Sequence, residues 1–150
     1  MFLQPANDES AAIPVNASIH RVLCVADDPA IVDALGGQLE QEPEFERPHC
    51  IGDTDEVMVV AKRLKPSIVL LDFERASGTS AMTILNEMRR DVPDARVVVL
   101  ASAPTGELVA RSLSHGAAGL LIKGLSPSRI VHAMRRVLGG EAVILLDLEA

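Results

Sequence analysis

The sequence predicts an α/β fold in which helices cover both faces of a parallel sheet. Short apolar runs, such as residues 68–71, alternate with stretches whose apolar residues recur at helical spacing. Of the 150 residues 48% are hydrophobic, yet three are Phe and none is Trp or Tyr, so aliphatic side chains must form the core. This length suits one domain, and an aliphatic core suits helices packed on a parallel sheet.

The first two predicted strands enclose one helix. RVLCVA at residues 21–26 is an apolar run of strand length. The helix after it has a one-sided apolar face formed by Ile31, Val32, Leu35 and Leu39. FERPHCI at residues 45–51 is a weaker strand that contains Pro48. Because proline cannot donate a hydrogen bond to a β-ladder, we expect this second strand to lie at an edge of the sheet.

The remaining elements continue the alternation. A second helix carries an apolar stripe formed by Val57, Val60, Ala61 and Leu64. It is followed by the strand SIVLLD at 67–72, a helix at 80–90, the strand RVVVLA at 96–101, a helix at 105–115 and the strand GLLI at 119–122. Ser126 and Pro127 suit the N-cap and first position of a last helix, which Gly139 and Gly140 are expected to end.

Five strand–helix units predict a three-layer sandwich around a five-stranded, flavodoxin-like parallel sheet in the order 2-1-3-4-5. In that order the second strand is an edge strand, which agrees with the position of Pro48. We expect residues 1–19 to be a flexible leader, residues 20–140 the domain, and residues 141–150 a tail or the start of a linker. The apolar segment AVILLDL at 142–148 is expected to pack on this domain or on a partner chain.

Charge and composition limit the partners and the location. The net charge of −7 does not provide the basic field that nonspecific binding of nucleic acid needs, so we expect no direct contact of this domain with DNA. No apolar run reaches membrane-spanning length, and the N-terminus lacks the basic start of a signal peptide. Cys24 and Cys50 show no metal-ligand spacing and are expected to be free, buried thiols. We therefore expect a cytoplasmic protein.

Polar side chains stand where the predicted strands end, at one edge of the sheet. Asp27 and Asp28 follow the first strand, Asp72 ends the third, Ser102 follows the fourth, and Lys123 follows the fifth. Taken singly, such residues often cap helices or are solvated, and Asp28 is well placed to cap the first helix. Capping does not explain an ammonium group at the end of an apolar strand. The set as a whole therefore indicates a functional site.

The chemistry of such a set follows from its charges. Three carboxylates close together repel one another unless a cation joins them, and clustered hard oxygen atoms suit Mg²⁺. A metal ion and a lysine would neutralise charge on a phosphoryl group during transfer. One carboxylate could then accept that group as an acyl phosphate, with the serine hydroxyl hydrogen-bonded to it.

The five positions resemble the signature of the receiver domain of two-component response regulators. The resemblance covers about residues 20–140, and HGAAGLLIKGLSPSRIVHAMRRVLGGE at 115–141 looks like receivers of the NarL/LuxR branch, which usually carry a C-terminal helix-turn-helix domain. It implies that Asp72 is the phosphoacceptor and receives its phosphoryl group from a histidine kinase or phosphotransfer protein. The chain would then be a signalling domain with self-phosphotransfer only, and not an enzyme in the ordinary sense.

The same resemblance implies roles for the other site residues. Asp27 and Asp28 would bind Mg²⁺ together with Asp72 and the backbone carbonyl of Glu74. Lys123 would pair with the phosphate, and Ser102 would move toward it with the loop before the fourth helix. The implied result is a switch in protein contacts or in transcription. The implied partners include a second copy of the chain, through the face of helix four, strand five and helix five or through helices one and five. DNA would be reached through a C-terminal output domain.

Four residues depart from the pattern or add to it. Arg75 and Ala76 stand where receivers commonly have Met-Pro, Leu120 stands where Tyr or Phe is usual, and Glu74 adds a carboxylate beside the site. A phosphorylatable receiver is the leading hypothesis, but Arg75, Ala76 and Leu120 motivate an alternative, a phosphorylation-independent receiver that acts as an interaction or dimerisation module. A third interpretation, Mg²⁺-dependent phosphoryl hydrolysis, needs a separate general acid or base, for which Glu74 is the one candidate.

Overall fold

The computed structural model describes residues 19–52, 56–74 and 79–148. The strands are β1 (Val22–Val25), β2 (His49–Ile51), β3 (Ile68–Asp72), β4 (Arg96–Ala101), β5 (Gly119–Ile122) and β6 (Val143–Leu145). The helices are α1 (Pro29–Leu39), α2 (Val57–Leu64), α3 (Ala81–Asp91), α4 (Gly106–Ser114) and α5 (Pro127–Leu138). Apart from Ile19, the expected leader lies outside the described residues. In the described part of the chain no helix is both long enough and apolar enough to cross a bilayer.

The strands form a single parallel sheet in the order β2-β1-β3-β4-β5-β6. The predicted order 2-1-3-4-5 is confirmed, but the expectation of five strands is wrong. The segment at 142–148 supplies the sixth, whose Val143 pairs with Gly119 and Leu145 with Leu121. Val143 is 1% exposed, so this segment packs on its own domain by adding an apolar side chain to the core. Consequently β5 is not an edge strand, and β6 lies beside it, at one of the two faces that were expected to contact a second copy.

The edge position of β2 is confirmed. Pro48 immediately precedes the strand, which pairs with β1 alone through the register of Leu23 with His49 and Cys24 with Cys50. Both cysteines are free, but only Cys24 is buried, whereas Cys50 is exposed. The expectation that both thiols are buried is therefore wrong for Cys50, because this short edge strand is covered less completely than the central strands.

The helices begin close to where the sequence predicts. The Ser126 hydroxyl accepts a hydrogen bond from the backbone N–H of Arg129 at 3.4 Å, with Pro127 in the first turn, and Gly139 and Gly140 follow the end of α5. Thr105 caps α4 in the same way, since its hydroxyl accepts from the backbone N–H of Leu108 at 3.1 Å. These caps set the start of each helix at the carboxyl edge of the sheet.

The core has two halves, one on each face of the sheet. Alternate residues of the central strands, among them Val69, Leu71 and Val99, pack against α2, α3 and α4. The intervening residues, among them Ile68 and Leu70, pack against α1 and α5. Because both faces are covered, β3 is buried along its whole length, and the carboxyl group that ends it must lie at the rim of the sheet.

Candidate functional site

The carboxyl edge of the sheet brings Asp72, Ser102 and Lys123 together. Asp72 is the last residue of β3, and Ser102 and Lys123 directly follow β4 and β5. Ladder hydrogen bonds continue one residue past these strands, since the N–H of Phe73 donates to the Leu100 carbonyl and the N–H of Lys123 to the Ala101 carbonyl, both at 2.8 Å. The three side chains are therefore held in register with one another.

Asp72 is buried at 4% exposure, and among the described residues the only other buried polar side chain belongs to Ser112. The Lys123 ammonium lies 2.5 Å from Asp72 Oδ1. The backbone N–H of Glu74 donates to the same oxygen at 2.9 Å. A buried carboxyl group is costly unless it is paired, and these two contacts supply the pairing.

The side chain of Glu74 lies between Lys123 and Ser102. Its Oε1 is 2.7 Å from the Lys123 ammonium. The backbone N–H of Ser102 donates to Glu74 Oε2 at 2.9 Å and to Oε1 at 3.1 Å, and the Ser102 hydroxyl donates to Oε1 at 3.1 Å. Sequence reasoning assigned the backbone carbonyl of Glu74 to metal binding and placed its carboxylate beside the site, without giving that carboxylate any contacts. The position of Glu74 two residues after Asp72 predicts that a carboxylate lies nearby. It does not predict that this carboxylate contacts Lys123 and Ser102.

Contacts within the site shift the pKa values of Glu74 and Lys123. Burial raises the pKa of Glu74, but the hydrogen bonds from Lys123 and Ser102 outweigh burial and hold this pKa below its ordinary value. Burial lowers the pKa of Lys123, but the hydrogen bonds with Asp72 and Glu74 outweigh burial and raise this pKa. At neutral pH one ammonium therefore serves two carboxyl groups.

Asp27 and Asp28 lie at the end of β1, next to β3, and both are exposed. Asp28 caps α1, because its Oδ1 accepts a hydrogen bond from the backbone N–H of Ala30 at 2.9 Å. A Cβ atom added to Gly52 would lie 3.3 Å from Asp27 Oδ1, so the loop after β2 passes close to this carboxylate. Asp28 therefore caps α1, as the sequence suggested, and it still lies at the carboxyl edge of the sheet.

The donor set fits Mg²⁺ by its chemistry. Carboxylate oxygens of Asp27, Asp28 and Asp72 and the backbone carbonyl of Glu74 are the hard ligands that this ion prefers. Within the described residues, however, no three acidic, histidine or cysteine side chains are gathered closely enough to hold a metal ion. In this arrangement Asp72 is paired with Lys123 instead.

Two of the departures from the receiver pattern lie at Arg75 and Ala76, which fall outside the described residues. Leu120 is described, and it is fully buried on β5 opposite Val99 of β4. Its side chain packs in the half of the core that α2, α3 and α4 cover. An aliphatic side chain therefore fills the core at the position where the receiver pattern usually has Tyr or Phe.

A cleft of about 520 Å³ lies away from this cluster. It is lined by His20, Ser67, Arg96 and Leu138, among others, at the amino edge of the sheet. None of the residues singled out from the sequence as site candidates lines it. We therefore assign the site by the convergence of charged groups at the carboxyl edge and not by the size of the cavity.

Comparison with known proteins identifies the family of this chain. Residues 22–135 match the family described as the response regulator receiver domain. The transcriptional regulatory protein MctR of Rhizobium johnstonii is 32% identical over 122 residues, which cover 80% of this chain and 56% of MctR. The nitrate/nitrite response regulator protein NarP of Escherichia coli is 29% identical over 127 residues, which cover 85% of this chain and 58% of NarP. The chain thus spans a little over half the length of these relatives.

Solved structures show the same fold. A two-component response regulator of the LuxR family from Aurantimonas sp. SI85-9A1 superposes with a TM-score of 0.77 at 20% identity, over 88% of this chain and 94% of that one. The family match covers most of the chain and includes Asp27, Asp28, Asp72, Ser102 and Lys123. The chain therefore belongs to the family of response regulator receiver domains, and its relatives include transcriptional regulators of the NarL/LuxR type.

Proposed function

We propose that this chain is a phosphorylatable receiver that accepts a phosphoryl group on Asp72 from a histidine kinase or a phosphotransfer protein, in a Mg²⁺-dependent reaction. The observation that carries the proposal is the pairing of buried Asp72 with Lys123 at 2.5 Å, at the carboxyl edge of a parallel sheet. Ligands of open α/β sheets bind at this edge. In this pair the carboxylate supplies the nucleophile and the ammonium group supplies the positive charge that phosphoryl transfer needs.

The proposed reaction is a direct displacement at phosphorus. A carboxylate oxygen of Asp72 attacks the phosphorus atom, while the bond from phosphorus to the donor's imidazole nitrogen breaks and the nitrogen keeps the electron pair. The product is an acyl phosphate on Asp72. Lys123 offsets the negative charge of the phosphoryl oxygens, and Ser102 offers its hydroxyl and backbone N–H as hydrogen-bond donors.

Asp27, Asp28, Asp72 and the backbone carbonyl of Glu74 would hold Mg²⁺. Bound there, the ion supplies positive charge next to the phosphoryl group. The residues of the chain supply the oxygen ligands, the ammonium countercharge and the position of the nucleophile. This division of roles predicts that phosphorylation stops when Mg²⁺ is removed by a chelator.

Phosphorylation is proposed to switch protein contacts or a transcriptional output through Ser102 and the loop that leads into α4. Thr105 caps α4 three residues after Ser102, so a movement of Ser102 is passed to the start of this helix. The partners would be a second copy of the chain, through α1 and α5 or through the face of α4, β5 and α5, beside which β6 lies, and an output domain. Since the chain spans a little over half of MctR and carries a net charge of −7, we assign any binding of DNA to such an output domain.

The test is intact-mass spectrometry after incubation with Mg²⁺ and acetyl phosphate. We expect one added phosphoryl group on the wild type and none on Asp72→Asn. Asp94→Asn is the matched control, because it makes the same chemical change at the opposite edge of the sheet, and it should be labelled like the wild type. Labelling of a correctly folded Asp72→Asn, or a wild type that gains no mass, would contradict the proposal.

One observation favours the alternative of a phosphorylation-independent interaction module. The contacts of Glu74 with Lys123 and Ser102 already engage the groups that a phosphoryl group would use. Under this alternative Asp72→Asn binds its partner as the wild type does, and Mg²⁺ with a phosphodonor has no effect. A partner-binding assay with and without acetyl phosphate separates the two functions.

A further inference from the structure

We infer that the Glu74 carboxylate is an internal stand-in for a phosphoryl group. It holds Ser102 and Lys123 in the arrangement that a phosphoryl group would require, and a phosphoryl group on Asp72 must displace it. The inference rests on the proposed function in one respect, the assignment of Lys123 and Ser102 as the groups that contact phosphate.

The contacts made by Glu74 are those expected for an anionic oxygen ligand. Three different donors converge on its carboxylate, namely the Lys123 ammonium at 2.7 Å and the backbone N–H and hydroxyl of Ser102 at 2.9 and 3.1 Å. Carboxylate and phosphoryl oxygens are both anionic acceptors, and both form short, charge-assisted hydrogen bonds with such donors. The same three donors suit either group.

Occupation by both groups at once is unfavourable. The Lys123 ammonium already serves Asp72 and Glu74, and a phosphoryl group on Asp72 would bring further negative charge beside Glu74. Two negative groups that share one ammonium repel each other, and solvent screens them poorly because the site is partly buried. Competition between Glu74 and the phosphoryl group for Lys123 and Ser102 follows directly.

Glu74 is free to leave without disturbing the fold. Its side chain is 38% exposed, so it can rotate into solvent. Its backbone N–H is bonded to Asp72 Oδ1 at 2.9 Å, which keeps the main chain in place when the side chain moves. Displacement therefore changes the contacts of Lys123 and Ser102 and leaves the end of β3 unchanged.

The consequence for switching lies in Ser102. With both of its donors bonded to Glu74, Ser102 is drawn toward the site before any phosphate arrives. Phosphorylation then exchanges one anionic acceptor for another. We expect Glu74 to slow the arrival of the phosphoryl group and to reduce the movement that its arrival causes.

The experiment compares the wild type with Glu74→Gln and Glu74→Ala in two measurements. The first is the rate of labelling by acetyl phosphate with Mg²⁺, which we expect to rise by about tenfold in both variants, as removal of one competing charge-assisted contact allows. Glu40→Gln is the matched control, since it removes the same charge from an exposed position after the last turn of α1. It should be labelled at the rate of the wild type.

The second measurement is the backbone amide resonance of Ser102 in ¹⁵N–¹H spectra without a phosphodonor. A hydrogen bond to a carboxylate moves this resonance downfield, so we expect an upfield change in Glu74→Ala and a smaller one in Glu74→Gln. Addition of phosphodonor should then move the Ser102 resonance further in Glu74→Ala than in the wild type. A Ser102 resonance that is identical in the wild type and Glu74→Ala would overturn the inference.

The two measurements separate this inference from the proposed function. If the wild type is labelled on Asp72 and both Glu74 variants are labelled at its rate, the proposed function stands and the inference is overturned. If no variant is labelled, the proposed function fails, and the Ser102 resonance alone decides whether Glu74 holds this residue. Faster labelling together with the upfield change supports both.

Discussion

Lys123 contacts two carboxyl groups that differ in their access to water. The side chain of Asp72 is 5% exposed and that of Glu74 is 38% exposed. If the ammonium is removed, Glu74 can turn into solvent, but Asp72 is fixed at the end of a buried strand. Removing Lys123 is therefore expected to change the free energy of unfolding by a different amount than removing the charge of Asp72.

We predict that Lys123→Met destabilises the domain at pH 7 more than Asp72→Asn does. The first change leaves a buried carboxyl group without its countercharge, an effect worth roughly 3 kcal/mol for buried pairs. The second leaves a lysine that still contacts Glu74. Urea denaturation of both variants measures the difference in the free energy of unfolding. Equal losses, or a larger loss for Asp72→Asn, would show that Asp72 does not depend on Lys123.

At the scale of the elements, α5 is tied to the loop between α1 and β2 by Arg135. Its Nε lies 2.7 Å from Glu44 Oε2, and its guanidinium also contacts Glu42. The hydrogen bond from Arg135 is the main reason that the pKa of Glu44 lies below its ordinary value of 4.5. The contact joins residues more than 90 positions apart in the chain, so it reports on the packing of α5 against the β2 end of the sheet.

The lowered pKa of Glu44 sets the pH range of its contribution to stability. This contribution is present above about pH 4.5, the ordinary pKa, and is lost as the pH falls through the lower pKa of the folded state. We predict that Glu44→Gln lowers the free energy of unfolding at pH 7 by less than about 1 kcal/mol, since the pair is partly exposed. At a pH below the lowered pKa of the folded state, the variant and the wild type should converge.

Urea denaturation between pH 3 and pH 7 measures this convergence. Arg136→Gln is the matched control, because Arg136 lies on the same helix but pairs with nearby Glu141 and not with Glu44. A difference between Glu44→Gln and the wild type that stays constant over the whole pH range would mean that the Arg135 contact does not stabilise the folded state.

At the scale of the whole molecule, β6 completes the sheet on its far side. Val143 is buried in the core, and a Cβ atom on Gly119 would lie 2.7 Å from the Val143 carbonyl, so the two strands approach closely. The segment continues to Leu148, whose carbonyl accepts a hydrogen bond from Arg129 at 2.6 Å and whose side chain lies over Gly124, next to Lys123. Residues 143–148 therefore link the edge of the sheet, α5 and the loop that follows Lys123.

We predict that truncation after Gly140 lowers the free energy of unfolding by about 2–4 kcal/mol, the range expected for losing one buried aliphatic side chain and the burial around it. It also leaves β5 as an exposed edge, which favours association between copies. Urea denaturation and light scattering after gel filtration measure the two effects. Removal of residues 149–150 alone is the control, and a truncated chain as stable and as monomeric as this control would refute the role of β6.

The sequence by itself determined the alternation of strands and helices, the edge position of β2 and the residues at the carboxyl ends of the strands. These features are local, because apolar periodicity, Pro48 and the polar residue that ends an apolar run each act within a few positions. Parallel pairing then requires Asp72, Ser102 and Lys123 to meet at one edge.

Only the tertiary structure decided that the segment at 142–148 would form a sixth strand on its own domain and not dock on another chain. It also decided that the Glu74 side chain would contact Lys123 and Ser102. These outcomes join residues that are distant in the chain, 28 positions apart for Glu74 and Ser102, and they depend on strand register and side-chain rotamers. A sequence pattern does not specify strand register or side-chain rotamers, whereas the packed sheet determines both.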